Sequence, residues 1–315
     1  MVQVRSAPEQ VAPRPATDHS AAAVASISAG RVWLNDSRAG LWQLLKVRGS
    51  GLGLTVLIVL VFLAVAAPVV SPYDPLKQDL LATLAPPSAA HPFGMDDLGR
   101  DVLARVIYGS RVSLEVGLIA ISVALIGGVM VGLAAGFLGG WVDDVLMRIM
   151  DSISAFPSLL LALAITAARG GGIGNAMVAI GIVYTPLFAR LIRSQALTIR
   201  ELDYCLAART LGAGPLRMMF KHVWPNAMAP IIVQASLSVS SAIITEASLS
   251  FLGVGVLPPT PSWGSILSDG YKVLEIAPWM AVASGAAIFI TVLGLNFLGD
   301  GLRTALDPRM SRRGA

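Results

Sequence analysis

Four residues near position 95 have the types that hold hard metals or move protons: His91, Asp96, Asp97 and Asp101. Oxygen-rich clusters of this kind bind divalent cations or work as acid–base pairs. No second histidine lies nearby, and Arg100 and Arg105 are interleaved with the carboxylates, so ion pairing and helix capping account for the set more economically than catalysis. Cys205 is the only cysteine, which excludes an internal disulfide and a thiolate metal cluster. No glycine-rich loop ending in Lys-Ser or Lys-Thr is present, so the chain has no phosphate-binding site of that kind. Further along, Gln234, Ser238, Ser241, Thr245 and Ser248 follow spacings of 4, 3, 4 and 3, which stacks them as one polar stripe on an otherwise apolar helix. Two readings of that stripe stand, hydrogen bonding to neighbouring helices or the lining of a hydrated solute pathway. Glu246, at the outer end of the same helix, is expected at the interface, where it stays hydrated.

The elements that position these residues must lie in a membrane. The 315 residues are 55% hydrophobic and 13% charged, with a mean hydropathy of +0.72, where soluble domains carry about 25% charged residues. Six apolar runs approach the length that spans about 30 Å of hydrocarbon as a helix: Leu52 to Val70, Val116 to Phe137, Ser152 to Ala168, Gly174 to Ala189, Ala227 to Thr245 and Ile276 to Gly299. The runs are continuous rather than alternating, which excludes a β-barrel, and helices satisfy their own backbone in lipid. The sequence predicts an all-α integral membrane protein of six transmembrane helices.

Seventeen of the 23 Lys and Arg residues fall on one alternating set of loops and six on the other. The positive-inside rule places the richer set, with both termini, in the cytoplasm. The net charge of +4 is explained by this topology, and no nucleic-acid motif accompanies it. Residues 1–45 form a cytoplasmic tail without sustained periodicity, expected to be mobile. Residues 46–71 form the first transmembrane helix; the long polar tail before it argues against a cleaved signal despite Ala64 to Ala66. Residues 72–111 form a periplasmic segment ending in a short amphipathic helix from Asp97, residues 112–309 a five-helix core, and residues 310–315 a C-terminal tail. Gly128, Gly132, Gly136 and Gly140 make a small-residue strip for close helix packing. Pro157 and Pro186 fall inside the third and fourth spans and are expected to bend them.

The loop of about 190–228 is too long for a simple turn. Glu201 to Leu211 reads as a helix with Gly212 just past its end, and Pro215 opens a second short helix that stops before Pro225. Such a protruding elbow is either a docking element or a plain amphipathic surface helix.

The run from Asp203 through Ala207, Ala208, Arg209 and Gly212 to Ala213, continuing to His222, Trp224, Pro225 and Asn226, resembles the EAA loop of binding-protein-dependent ABC importer permeases. Leu206, His222 and Trp224 depart from the general pattern, at its Glu, Ile and Leu positions. The stretch from His91 to Arg111, with Met95 and Ala104 as departures, and the stretch from Asn296 to Arg309 are similar to the dipeptide, oligopeptide and nickel branch. Ser250 to Gly253 and Pro258 to Trp263 join these, so the resemblance covers roughly residues 45–310, as in the second-type subunit of the permease pair. The resemblance implies a type I importer bundle whose elbow is a cytoplasmic coupling helix. Glu201, Asp203, Tyr204, Ala207, Ala208, Arg209, Gly212, Ala213 and Pro225 would then couple it to the ATPase, with Gln234, Ser238, Ser241 and Thr245 along the translocation path. It further implies a multi-pass bacterial inner-membrane permease for dipeptides, oligopeptides or a solute such as glutathione or a nickel chelate. The chain itself would hold no cofactor or metal. Its partners would be a homologous second permease in a heterodimer, two ABC ATPase subunits that bind ATP and Mg, a periplasmic or lipid-anchored substrate-binding protein, and membrane lipid. A channel or secondary transporter would need neither ATPase nor elbow, and a membrane enzyme would need the Asp cluster to be catalytic.

Overall fold

A computed structural model describes residues 49–306; the 1–45 and 310–315 tails lie outside the described residues. Nine helices follow in order among the described residues: α1 (Ser50–Val70), α2 (Val102–Leu138), α3 (Gly140–Ser154), α4 (Ser158–Ala168), α5 (Ile173–Ile199), α6 (Asp203–Thr210), α7 (Pro215–Phe251), α8 (Trp263–Lys272) and α9 (Pro278–Leu306). No strand occurs among them, only an isolated Met95–Asp101 bridge. Helices α1, α2, α5, α7 and α9 are each long and apolar enough to cross a membrane.

The expected third span is broken. Pro157 does not lie inside a helix; it stands between α3 and α4, which meet at 90°. Proline lacks the N–H that a continuing helix needs, and its own extended ψ of 126° redirects the chain. Pro186 behaves differently. Helix α5 runs through it, buried, and the Thr185 hydroxyl donates to the Gly181 carbonyl at 2.8 Å beside the lost backbone bond.

The outer segment also departs from expectation. No separate amphipathic helix starts at Asp97. Asp101 caps α2, its carboxylate accepting from the Ala104 N–H at 2.6 Å, and α2 then continues for 37 residues, about 55 Å at 1.5 Å per residue. That exceeds the bilayer core, so α2 projects beyond it. Around its start Asp96, 1% exposed, accepts from the Leu98 and Arg100 N–H groups and from Arg100 Nε at 2.6 Å, with Arg105 Nη1 at 3.3 Å. His91 Nδ1 lies 2.8 Å from Asp101 Oδ2. The acidic cluster is thus an ion-paired, helix-capping knot, and no group of three or more metal-ligating side chains forms among the described residues.

The glycine strip works as a seam between α2 and α5 over three of its four members. A Cβ built on Gly128 would stand 2.4 Å from Phe188 Cβ, one on Gly132 2.5 Å from the Ala189 carbonyl oxygen, and one on Gly136 2.7 Å from Ala196 Cβ. Gly140 takes no part: α2 ends at Leu138, Gly139 turns the chain at φ 68°, and Gly140 opens α3 with nothing near its Cβ position. Lipid is as apolar as leucine, so helices associate there by close packing rather than by hydrophobic expulsion. A second seam, Gly53 and Gly294, joins α1 to α9, and Arg111 Nε donates to the Ala64 carbonyl at 2.6 Å to tie α1 to α2.

Two outcomes follow from these contacts. Gly132→Val should destabilise the detergent-solubilised protein by about 1–3 kcal/mol through overpacking, read as a lowered unfolding midpoint, whereas Gly174→Ala, facing open space, should not. Asp96→Ala strands two buried guanidinium groups and should cost about 3–5 kcal/mol, read as loss of folded protein in the membrane fraction.

Candidate functional site

The elbow is a short, firmly terminated helix. Asp203 sits in the first turn of α6 and Arg209 in the last, each complementing the helix dipole. At its end the Ala213 N–H donates to the Ala208 carbonyl and the Gly212 N–H to the Arg209 carbonyl, both at 3.0 Å, with Gly212 at φ 83°. This is a Schellman closure, and it needs the left-handed backbone that glycine adopts without steric cost. Pro215 then opens α7 as expected, but that helix does not stop before Pro225. A π-helical stretch, Met218–Val223, carries it into the fifth span, with Pro225 in the first turn after the widening. The wider i→i+5 turn changes the bonding register there, so the missing proline N–H does not end the helix.

The elbow is rooted in the protein core. Cys205, Met218, Met219 and Val223 are buried and belong to the same apolar cluster as Phe188 and Ile192 of α5, with Tyr204, Ala208 and Ala213 packed against it. Burial pushes the Cys205 thiol above its usual range, so it is a packing residue rather than a reactive one. Asn226 of α7 donates to the Tyr204 hydroxyl at 3.1 Å. Arg209 stacks over Phe137 at 5.8 Å, and Arg200 donates to the Gly136 carbonyl at 2.8 Å. Asn226, Arg200 and Phe137 therefore brace the elbow, although sequence reasoning gave them no such role; charge counting treats Arg200 as a loop cation and says nothing of its partner. The outer side is open. Glu201, Asp203, Ala207 and Arg209 are exposed, and Leu211 and Leu216 are 88% and 70% exposed. Pro225 is set apart from this surface, half-buried where α7 enters the bundle.

The polar stripe of α7 is not uniform. Ser238 is buried and accepts from Gln234 Nε2 at 3.3 Å, Ser241 is exposed, and Thr245 is half-buried with its Oγ1 3.4 Å from the Tyr184 hydroxyl. The Thr245 and Ser248 hydroxyls donate to carbonyls four residues back, so they are satisfied within their own helix. Gln234 also lines a cleft of about 500 Å³ between α5, α7 and α9, together with Gln195, Asn226 and Arg303. Glu246 departs from expectation: it is 0% exposed, not at a hydrated interface. Helix α7 runs to Phe251, past the end read from hydropathy, and the following loop folds back. The Ser250 hydroxyl donates to Glu246 Oε1 at 2.6 Å while accepting from the Val256 N–H at 2.9 Å.

Comparison with known proteins agrees with this architecture. The family described as binding-protein-dependent transport system inner membrane component matches residues 128–312, and the N-terminal TM domain of oligopeptide transport permease C matches residues 38–87. A dipeptide transport system permease protein DppC from Alkalihalophilus pseudofirmus is 44% identical over 268 residues, 85% of this chain and 88% of its own. A di/tripeptide transport system permease protein DppC from Pseudomonas aeruginosa is 47% identical over 269 residues, 84% of this chain and 89% of its own. A glutathione transport system permease protein GsiD from Pectobacterium atrosepticum is 45% identical over 224 residues, 71% of this chain and 74% of its own. Among solved structures, an inward-facing form of the MetNI methionine ABC transporter shares the fold, with a TM-score of 0.54 at 17% identity over 64% of this chain and 96% of that one. The chain therefore belongs to the binding-protein-dependent transport system inner membrane component family and is a multi-pass permease subunit of an ABC importer, not an enzyme.

Proposed function

We propose that the chain carries dipeptides or short peptides inward across the bacterial inner membrane, with α6 and the turn after it seated on an ATPase subunit. The observation that carries this reading is the elbow itself: closed at its end by a hydrogen-bonded turn, rooted in the core, and open on its outer side, where Leu206, Leu211 and Leu216 stand exposed among Glu201, Asp203 and Arg209. A surface of that kind suits a groove in a partner, because exposed leucines gain when water is removed from them. The residues on it are Glu201, Asp203, Ala207, Arg209 and Gly212, while Tyr204, Ala208 and Ala213 hold it from behind and Pro225 lies at the entry of α7 into the bundle.

The assembly we infer is a heterodimer with a homologous second permease, two ABC ATPase subunits holding ATP and Mg, and a periplasmic or lipid-anchored binding protein. Peptide-transport names among the relatives support the substrate class. The Lys and Arg distribution supports an elbow and termini on the cytoplasmic side. Closure of the ATPases would press on the elbow, and α5 and α7, which flank it in the chain, would tilt together and reopen the path along Gln234, Ser238, Ser241 and Thr245. The buried Asp96–Arg100–Arg105 knot does not favour a membrane enzyme, and an exposed elbow rooted in the core does not favour a channel or secondary transporter.

Gly212→Val forces a β-branched residue into the left-handed region, at a cost of about 1–2 kcal/mol, in a position with no neighbour to clash with. Membrane insertion should be unchanged, and peptide-stimulated uptake in cells should be lost; normal uptake would refute the coupling role. Leu211→Glu, on a side chain that is 88% exposed, should reduce co-purification of the ATPase subunits about tenfold, the equivalent of about 1.4 kcal/mol, with little change in unfolding midpoint.

A further inference from the structure

Helix α3 has three faces rather than two. One face meets the protein: Met150 is buried, and Asp143 forms a bidentate ion pair with Arg193 of α5, Nη2 to Oδ2 at 2.6 Å. The outward half divides along its length. Trp141, Val145 and Ile149, spaced by four, are 74%, 45% and 49% exposed and make an apolar flank. Asp144, Arg148 and Asp151, also exposed, make a charged flank beside it. A helix in water would turn charge outward all round, and one inside the bilayer would turn none. An outer surface that is apolar on one flank and charged on the other matches the boundary between the two media.

The ion pairs give the orientation. Asp143 pairs with Arg193, and Asp151 lies 3.5 Å from Arg190, whose Nη1 donates to the Ser154 hydroxyl at 3.1 Å. Eight residues along α3, about 12 Å, thus map onto three residues along α5, about 4.5 Å. Helix α3 therefore lies across α5, in keeping with its 90° bend into α4. The level at which it lies is the end of the charge-free stretch of α5, which closes at Arg190. Helix α4 has 11 residues, about 16 Å, roughly half of the hydrocarbon thickness. Exposed apolar side chains, Leu138 and Phe156, also stand just before and just after α3.

We propose that α3 is an interfacial helix lying in the plane of the membrane on the elbow side, with Trp141, Val145 and Ile149 in the headgroup–acyl boundary and Asp144, Arg148 and Asp151 in water. The occupant of the apolar flank is phospholipid. Tryptophan is enriched at this depth because its ring is apolar and its N–H needs a partner. The charged flank holds two carboxylates against one guanidinium, so the contact does not require anionic lipid. Because α3 is joined directly to α2 and, through one bend, to α4, it ties both to a fixed depth. This inference does not depend on what binds the elbow.

The test places single nitroxide labels through Trp141→Cys, Asp144→Cys, Val145→Cys, Arg148→Cys and Ile149→Cys in the full chain, assembled with its partner subunits in phosphatidylcholine nanodiscs. The buried Cys205 does not compete for label. Collision with oxygen should dominate over collision with a nickel chelate at 141, 145 and 149, at a depth of about 5–10 Å, and the reverse should hold at 144 and 148. Nickel access at all five positions would mean an aqueous surface and overturn the proposal. Shielding of 141, 145 and 149 from both reagents would mean that a protein subunit covers the flank, and would overturn it equally.

Discussion

Lipid gives helices no hydrophobic reason to associate, so the bundle depends on backbones that approach closely enough for dispersion to act along their whole length. The seam of Gly128, Gly132 and Gly136 against Phe188 to Ala196 is where this constraint is most visible. Each of these glycines stands where no Cβ fits, and the seam follows the second half of α5, from Phe188 to Ala196, toward the end that leads into the elbow. Arg200, directly after α5, donates to Gly136 at the bottom of the same seam.

From that seam the elbow inherits its stiffness. Helix α6 ends in a closed hydrogen-bonded turn, its buried side merges with the core that holds Phe188 and Ile192, and Asn226 links Tyr204 to the base of α7. A force on such an element is transmitted as displacement because the interior is close-packed and yields little. The π-helical stretch before Pro225 makes elbow and span one continuous helix, which is mechanically simpler than two helices joined by a proline break.

The opposite end is organised by charge rather than by close approach. Asp96 gathers two buried guanidinium groups and two backbone donors, and Asp101 caps α2 while contacting His91. Pairs of this kind hold a geometry because separating them leaves a buried charge without compensation. In the same region Ser250 ties the buried Glu246 to the loop after α7. The outer segment is therefore a rigid cap on α2.

Much of this was legible in the sequence because the bilayer is a demanding solvent. Runs such as Leu52 to Val70 have no other stable use, and Gly212 followed by Pro215 marks a helix end and a restart through backbone sterics alone. The small-residue strip was visible as periodicity for the same reason. Composition could not report what depends on partners distant in the chain. Glu246 reads as an interfacial carboxylate until Ser250 and the folded-back loop enclose it, and Arg193 reads as a loop cation until Asp143, fifty residues earlier, is placed beside it. Hydropathy read a single span from Ser152 to Ala168 and left most of α3 in the loop before it, yet the structure forms α3 as a separate helix that the break at Pro157 and the ion pairs to α5 turn across the bundle. Local chemistry settles which residues enter lipid and where helices stop; which side chains meet is decided only by packing, since contact energies belong to pairs that the chain order does not bring together.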